Sequence, residues 1–149
     1  FKIAEKEKVV QPEAATGEVS IRGLHLLLAE DNELNAEIAA RLLNDEGATV
    51  QVVRDGQQAI DAFASRPQGT YDAILMDIMM PKIDGYTATR VIRSTNRQDA
   101  KTIPIIAMTA HVFDEDVKQC LEAGMNAHLP KPLQMEKVVS TIARLCKRK

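Results

Sequence analysis

Tryptophan is absent from this chain of 149 residues, and all aromatics together make up 3% of it. The core must therefore be assembled from Leu, Ile, Val, Ala and Met. Cysteine is scarce as well: Cys120 and Cys146 lie far apart and outside any CxxC spacing. That excludes a disulfide framework and a cysteine-rich metal centre. Each falls in a helical apolar stripe, so buried free thiols in a reducing compartment are expected. No apolar run approaches the roughly 20 residues a membrane span needs, so the chain itself is expected to make no membrane contact. No secretory leader is visible, and the cytoplasm is the expected compartment. Positive charge is not in excess either. A formal net charge of -2 removes the general electrostatic case for nucleic acid, and the closing Lys147-Arg148-Lys149 reads as a solvated end.

What is present suits one ordinary domain. The hydrophobic fraction of 45% and charged fraction of 27% are those of soluble globular chains, and the length supports a sizeable core. The chain opens Phe1-Lys2-Ile3 without a Met, which reads as a piece of something longer. Residues 1–21 carry a charged stretch (Lys2, Glu5, Lys6, Glu7, Lys8) and then small residues without sustained periodicity. Such composition predicts a linker or tail, leaving 22–149 as the folded domain.

Beyond the tail, short apolar runs alternate with helical patterns. Strands are predicted over Leu24–Ala29, Thr49–Val53, Ala73–Met76, Ile105–Met108 and Ala127–Leu129. Between them, Leu34, Ile38 and Leu42, with Ala39 and Leu43 alongside, mark a first helical face. Ala59, Ile60 and Phe63 mark a second helix, and Ala88, Val91 and Ile92 a third. A fourth carries Phe113, Val117, Cys120 and Leu121 and ends at Gly124. Met135, Val138, Val139, Ile142 and Leu145 mark a fifth. Gly47, after the acidic end of the first helix, suits the left-handed position that closes it. Strict strand–helix alternation forces crossover connections, hence an α/β fold with a parallel sheet and helices on both faces.

In open parallel sheets, ligands gather outside the carboxyl ends of the strands. Glu30 and Asp31 follow the first strand, Asp77 the third, Thr109 the fourth and Lys131 the fifth. Carboxylates crowded in this way raise each other's pKa values unless a cation is present. An all-oxygen cluster without His or Cys suits a hard ion, and Mg²⁺ is the usual occupant where phosphate is the substrate. Asp77 ends the most apolar strand and is the best candidate to attack an activated phosphoryl group. Lys131 and Thr109 are placed to meet the phosphoryl oxygens.

Four stretches in this order resemble response-regulator receiver domains of two-component systems: Leu28-Ala29-Glu30-Asp31-Asn32, Met76-Asp77-Ile78-Met79-Met80-Pro81-Lys82-Ile83-Asp84-Gly85, Met108-Thr109-Ala110 and Leu129-Pro130-Lys131-Pro132. The resemblance covers Leu24 to Leu145 and implies a flavodoxin-like (βα)5 domain with strand order 2-1-3-4-5. It implies Asp77 as phosphoacceptor, with Mg²⁺ held by Asp31, Asp77 and the backbone carbonyl of Met79, and by Glu30 through water. Lys131 would contact the phosphoryl group and Thr109 would swing toward it, while the Lys131-Pro132 peptide would be cis. The domain would catalyse its own phosphorylation and dephosphorylation. Its partner would be a histidine kinase or a histidine phosphotransfer domain, and it would work as a monomer. His128 departs from the Tyr or Phe usual at its position, which removes support for an aromatic switch there. Met79 and His111 occupy positions that tune hydrolysis of the acyl phosphate. Met79 has no amide to orient water, which points to a long-lived phosphoryl-aspartate, whereas an imidazole at His111 could position a water and leaves the lifetime open. The wording from Ala29 to Asn35 resembles receivers fused to hybrid sensor histidine kinases.

Rival readings fail on single residues. A haloacid-dehalogenase-type phosphatase needs an acid two residues after its nucleophile, where this chain has Met79. A dinucleotide fold needs glycines where Glu30-Asp31-Asn32 stands, and no GxxxxGK segment supports a P-loop. The remaining alternative is an unphosphorylated pseudo-receiver that acts as a binding module.

Overall fold

The computed structural model describes residues 20–109, 114–131 and 133–146. All but the last two residues of the expected tail, together with His111, Phe113 and the Lys131-Pro132 peptide, lie outside them. The described elements, in chain order, are β1 (His25–Ala29), α1 (Glu33–Asp45), β2 (Thr49–Val53), α2 (Gly56–Ala64), β3 (Ala73–Asp77), α3 (Gly85–Ser94), α4 (Asp99–Thr102), β4 (Ile105–Thr109), α5 (Asp114–Ala123), β5 (Ala127–Pro130) and α6 (Met135–Leu145). The five strands form one parallel sheet in the order β2-β1-β3-β4-β5, the flavodoxin-like order expected. No helix among the described residues is long and apolar enough to cross a membrane.

Alternation along the strands divides the core in two, because successive side chains leave a strand on opposite faces. Leu27, Ala29, Ile74, Met76, Ile105 and Ala107 face α2, α3 and α5, where Phe63, Ile92 and Cys120 close over them. Leu26, Leu28, Leu75, Ile106 and Met108 face α1 and α6, meeting Leu43, Val138 and Ile142. Every residue of β3 and β4 is buried, as expected of central strands covered on both sides. Ile21 is already part of the second cluster.

Helix ends follow local chemistry. Asn32, Asp55 and Asp84 each occupy an N-cap and accept from the N–H three residues on, that of Asn35, Gln58 and Thr87. Each relieves one of the unpaired donors of a first turn. Gly47 closes α1 with a φ of +96°, and its N–H reaches Asn44 O at 2.9 Å, the left-handed stop expected there.

Two expectations are corrected. Of the expected face of α1, Ala39 and Leu43 are buried, but Leu34, Ile38 and Leu42 are not. Leu34 and Ile38 are 64% and 49% exposed, and the residues against the sheet are Ala36, Ala39 and Leu43. The small alanines let the helix axis approach the strands closely, and the full burial of Leu43 contributes about 2 kcal/mol. The larger stripe is turned outward as a result.

The second correction is α4, a single turn that sequence periodicity did not indicate. It is fixed by side chains instead of by a repeating apolar face. Arg97 grips Asp99 with two hydrogen bonds of 2.8 and 2.9 Å, donates to Phe63 O at 2.8 Å and lies 4.5 Å over the Phe63 ring. These bonds hold the carboxyl of Asp99 below its ordinary range. The cysteines form no disulfide: Cys120 is buried, and Cys146 is half-buried at the end of α6 rather than fully buried.

Candidate functional site

The register of four neighbouring strands, β1, β3, β4 and β5, brings the sequence-selected residues together. Asp77, the last residue of β3, stands opposite Met108 of β4, and Thr109 stands opposite Pro130 of β5. The N–H of Lys131 donates to Thr109 O at 2.7 Å, which anchors the backbone of the lysine beside the threonine. On the other side, the N–H of Glu30 donates to Val53 O at 3.0 Å, carrying the acid just past the end of β1. Parallel strands that end at one level thus present their next residues on one rim.

Within that rim, Glu30 and Asp77 are each 3% exposed and Thr109 is buried, while Asp31 is exposed. Lys131 Nζ lies 3.0 Å from Glu30 Oε1 and 3.0 Å from Asp77 Oδ2. The second oxygen of each acid takes a backbone donor: Asn32 N–H reaches Glu30 Oε2 at 3.1 Å, and Met79 N–H reaches Asp77 Oδ1 at 3.3 Å. One ammonium therefore serves two buried carboxylates.

Burial pushes the Asp77 carboxyl up to about 6; the hydrogen bond from Lys131 opposes the rise and the Glu30 charge adds to it. Burial also works against the Lys131 ammonium, but the hydrogen bonds to Glu30 and Asp77 outweigh it and raise its pKa. Displaced values of this kind are expected where a group is poised for chemistry.

A metal ion is compatible with this donor set. Carboxylate oxygens of Glu30, Asp31 and Asp77 lie within 4.8 Å of one another, and oxygen-only ligands of this charge suit a hard divalent cation. Asp55, also at the carboxyl end of a strand, stands apart from the cluster. It caps α2 through Gln58 N–H at 2.8 Å and pairs with Lys82 Nζ at 3.7 Å.

The loop from Asp77 to α3 is shaped by close backbone approaches. Gly85 N–H donates to Ile78 O at 2.9 Å and Ile83 N–H to Pro81 O at 2.8 Å. Lys82 takes a left-handed φ of 69°. A Cβ on Gly85 would fall on Asp77 O and 2.9 Å from Ile78 Cα. Met79, within this return, is 76% exposed. His128 sits half-buried on β5 in the wall of a cavity of about 330 Å³ with Cys120, Leu121 and Arg144.

Sequence reasoning missed one feature of this region. A cavity of about 340 Å³ runs from Glu30 and Lys131 along Asn35, Ile38, Leu42, Met108 and Leu133. It joins the acidic pocket to the outward stripe of α1. The signal was available in the competing Ala36-Ala39-Leu43 spacing, which leaves Leu34 and Ile38 without an inner partner.

The fold and the rim together define a class: an open parallel α/β domain with a buried acid–lysine pocket at the carboxyl ends of its strands. The chain belongs to the response regulator receiver domain family, whose model matches residues 26–143. It is 38% identical to Histidine kinase 1 of Arabidopsis thaliana, over 86% of this chain and 13% of that protein. It is 39% identical to the osmosensing histidine protein kinase SLN1 of Saccharomyces cerevisiae, over 81% of this chain and 10% of that one. The chain thus spans about an eighth or less of the length of these relatives. Among solved structures it is similar to the receiver domain of sensor histidine kinase PA1611 from Pseudomonas aeruginosa PAO1, with a TM-score of 0.75 and 38% identity. That match covers 85% of this chain and 99% of the other, whose active-site cleft coordinates a magnesium ion.

Proposed function

We propose that this domain accepts a phosphoryl group from a phosphohistidine onto Asp77 in a Mg²⁺-dependent reaction, and signals the change to a partner. The observation that carries this reading is the pairing of Asp77 with Lys131 at 3.0 Å inside the Glu30–Asp31–Asp77 cluster. A carboxylate held by one ammonium, in a pocket with room for a dication, is a nucleophile whose product charge has a ready partner.

In the transfer, an ionised oxygen of Asp77 forms a bond to phosphorus as the phosphorus–nitrogen bond of the donor breaks, and the imidazole leaves with the electron pair. Lys131 keeps Asp77 aimed before the reaction and can turn to a phosphoryl oxygen after it. Met79 N–H fixes the other carboxylate oxygen, and Thr109 lies beside the product to contact it. Glu30, Asp31 and Asp77, with the Met79 carbonyl, would hold Mg²⁺, which supplies charge neutralisation at the phosphoryl oxygens. The new group adds roughly two negative charges to a pocket already acidic. A shift of Thr109 and the adjoining helix face is the response expected to reach a partner.

The apolar lip formed by Ile38 and Leu42 beside the same pocket supports a donor that arrives as a folded histidine-bearing domain, in a histidine kinase or a phosphotransfer protein. A small phosphodonor would need no such surface.

The reading is tested by intact mass after incubation with Mg²⁺ and acetyl phosphate. One phosphoryl group is expected on the parent and none on Asp77→Asn. Equal uptake by both would place the acceptor elsewhere.

The pH dependence of metal binding gives a further expectation. Protons and Mg²⁺ compete for Asp77, whose pKa in the metal-free domain stands at about 6. Above that pH the carboxylate is available, and below it the proton must leave first. Mg²⁺ affinity by calorimetry is therefore expected to fall about tenfold from pH 7.5 to pH 5. A flat profile over that interval would remove Asp77 from the ligand set.

A further inference from the structure

Six methionines are distributed unevenly with respect to solvent. Met76, Met108 and Met125 are 0%, 1% and 3% exposed, whereas Met79 is 76% exposed. Met80 packs against one core cluster and Met135 against the other. The one fully presented thioether thus lies two residues beyond the proposed phosphoacceptor, with its own N–H on Asp77 Oδ1. An apolar side chain left in water contributes little to folding. Its sulfur is the feature that solvent can reach.

We propose that Met79 is a site of reversible oxidation by a peroxide, and that its sulfoxide shortens the life of the phosphoryl group on Asp77. In the modification one oxygen passes from hydrogen peroxide to sulfur. The peroxide O–O bond breaks, a sulfur–oxygen bond forms, sulfur is oxidised by two electrons, and the peroxide is reduced to water. The product carries no net charge, so the balance of the acidic cluster and Lys131 is unaltered. The side chain lies outside the core, so the fold has no packing to lose.

What changes is hydrogen bonding. A thioether is a weak acceptor, whereas a sulfoxide oxygen accepts strongly and makes the side chain polar. Three rotatable bonds let that oxygen reach over the carboxylate to which the Met79 backbone is tied. There it can hold and orient a water for attack on the acyl phosphate. The thioether leaves such a water unoriented. Sulfoxide reductases restore the thioether, which makes the effect reversible. The consequence for lifetime rests on the proposed role of Asp77; the selectivity of oxidation does not.

The experiment treats the full chain with dilute hydrogen peroxide and locates the added oxygen by peptide mapping. Mapping separates methionine from Cys146, whose thiol donates to Asp72 O at 3.3 Å. The first oxygen is expected on Met79. After phosphorylation with acetyl phosphate and Mg²⁺, the oxidised protein is expected to lose its phosphoryl group on the order of tenfold faster than the untreated one. Methionine sulfoxide reductase should return the original lifetime. Met79→Leu should make the lifetime insensitive to peroxide, and Met79→Gln should shorten it without peroxide. First oxidation at Met80 or Met135, or an unchanged lifetime with Met79 fully oxidised, would overturn the proposal. Failure of the untreated protein to take up phosphate at all would overturn the acceptor reading and this one with it. That result is distinguishable, because it appears before any oxidant is added.

Discussion

Lys131→Met is expected to slow phosphoryl uptake by two orders of magnitude or more, while the domain remains folded. The substitution keeps the length and apolar stem of the side chain and removes the charge. Glu30 and Asp77, each 3% exposed, then face one another without the ammonium that lies 3.0 Å from both. Removing one partner of a buried ion pair leaves an uncompensated charge. Because 24% of the Lys131 side chain is exposed, the loss of stability at pH 8 should be about 2 kcal/mol, below the range for fully buried pairs.

The sign of its pH dependence follows from the carboxylates. Without the cation, the Asp77 pKa must rise beyond about 6, above its value in the unfolded chain. A carboxyl raised in the folded state holds its proton more tightly there, so its stabilising contribution is present at low pH. It is lost as pH rises through the folded pKa. Denaturant unfolding should therefore show the variant close to the parent at pH 5 and clearly weaker at pH 8. The same deficit at both values would mean that Lys131 acts through packing. Added Mg²⁺ is expected to recover part of the deficit at pH 8.

Gly85→Ala is expected to be the most damaging single methyl in the loop between Asp77 and α3. The new Cβ would fall on Asp77 O and lie 2.9 Å from Ile78 Cα. Both obstacles are backbone, and neither can turn aside as the end of a long side chain would. Relief requires α3 to move away or the end of β3 to bend. The first breaks the 2.9 Å hydrogen bond from Gly85 N–H to Ile78 O, and the second displaces Asp77, the proposed acceptor. A stability loss of about 3 kcal/mol is expected. Phosphoryl uptake should slow by at least tenfold even in the fraction that remains folded. The two effects are separable by measuring uptake at a temperature where circular dichroism shows a native spectrum. Full activity together with parental stability would show that the loop yields more readily than its contacts imply.

The sheet was legible because buried parallel strands leave a plain mark: Ala73–Met76 and Ile105–Met108 are unbroken apolar runs between polar turns. The rim followed from the strands, since Glu30, Asp77, Thr109 and Lys131 are simply the residues at which those runs end or are overrun. Harder to read was the rotation of α1. Its larger apolar residues, Leu34 and Ile38, outweighed Ala36 in a reckoning by hydrophobicity, although close packing on a sheet favours the smaller side chains. Nothing periodic marks α4, whose four residues owe their place to the contacts of Arg97 with Asp99 and Phe63. The sharing of one lysine between two acids was equally beyond sequence, because it depends on where three strand ends come together.

That shared lysine is also a mechanical element. Its pocket is closed by an internal tether, one flexible chain joining β5 to acids at the ends of β1 and β3. A cation entering beside Asp31 would relieve Lys131 of duty as sole counter-ion and leave it free to turn toward an incoming group. Under the proposed function the same side chain would be a latch before the cation arrives and a guide afterwards, its role decided by what else in the pocket is positively charged.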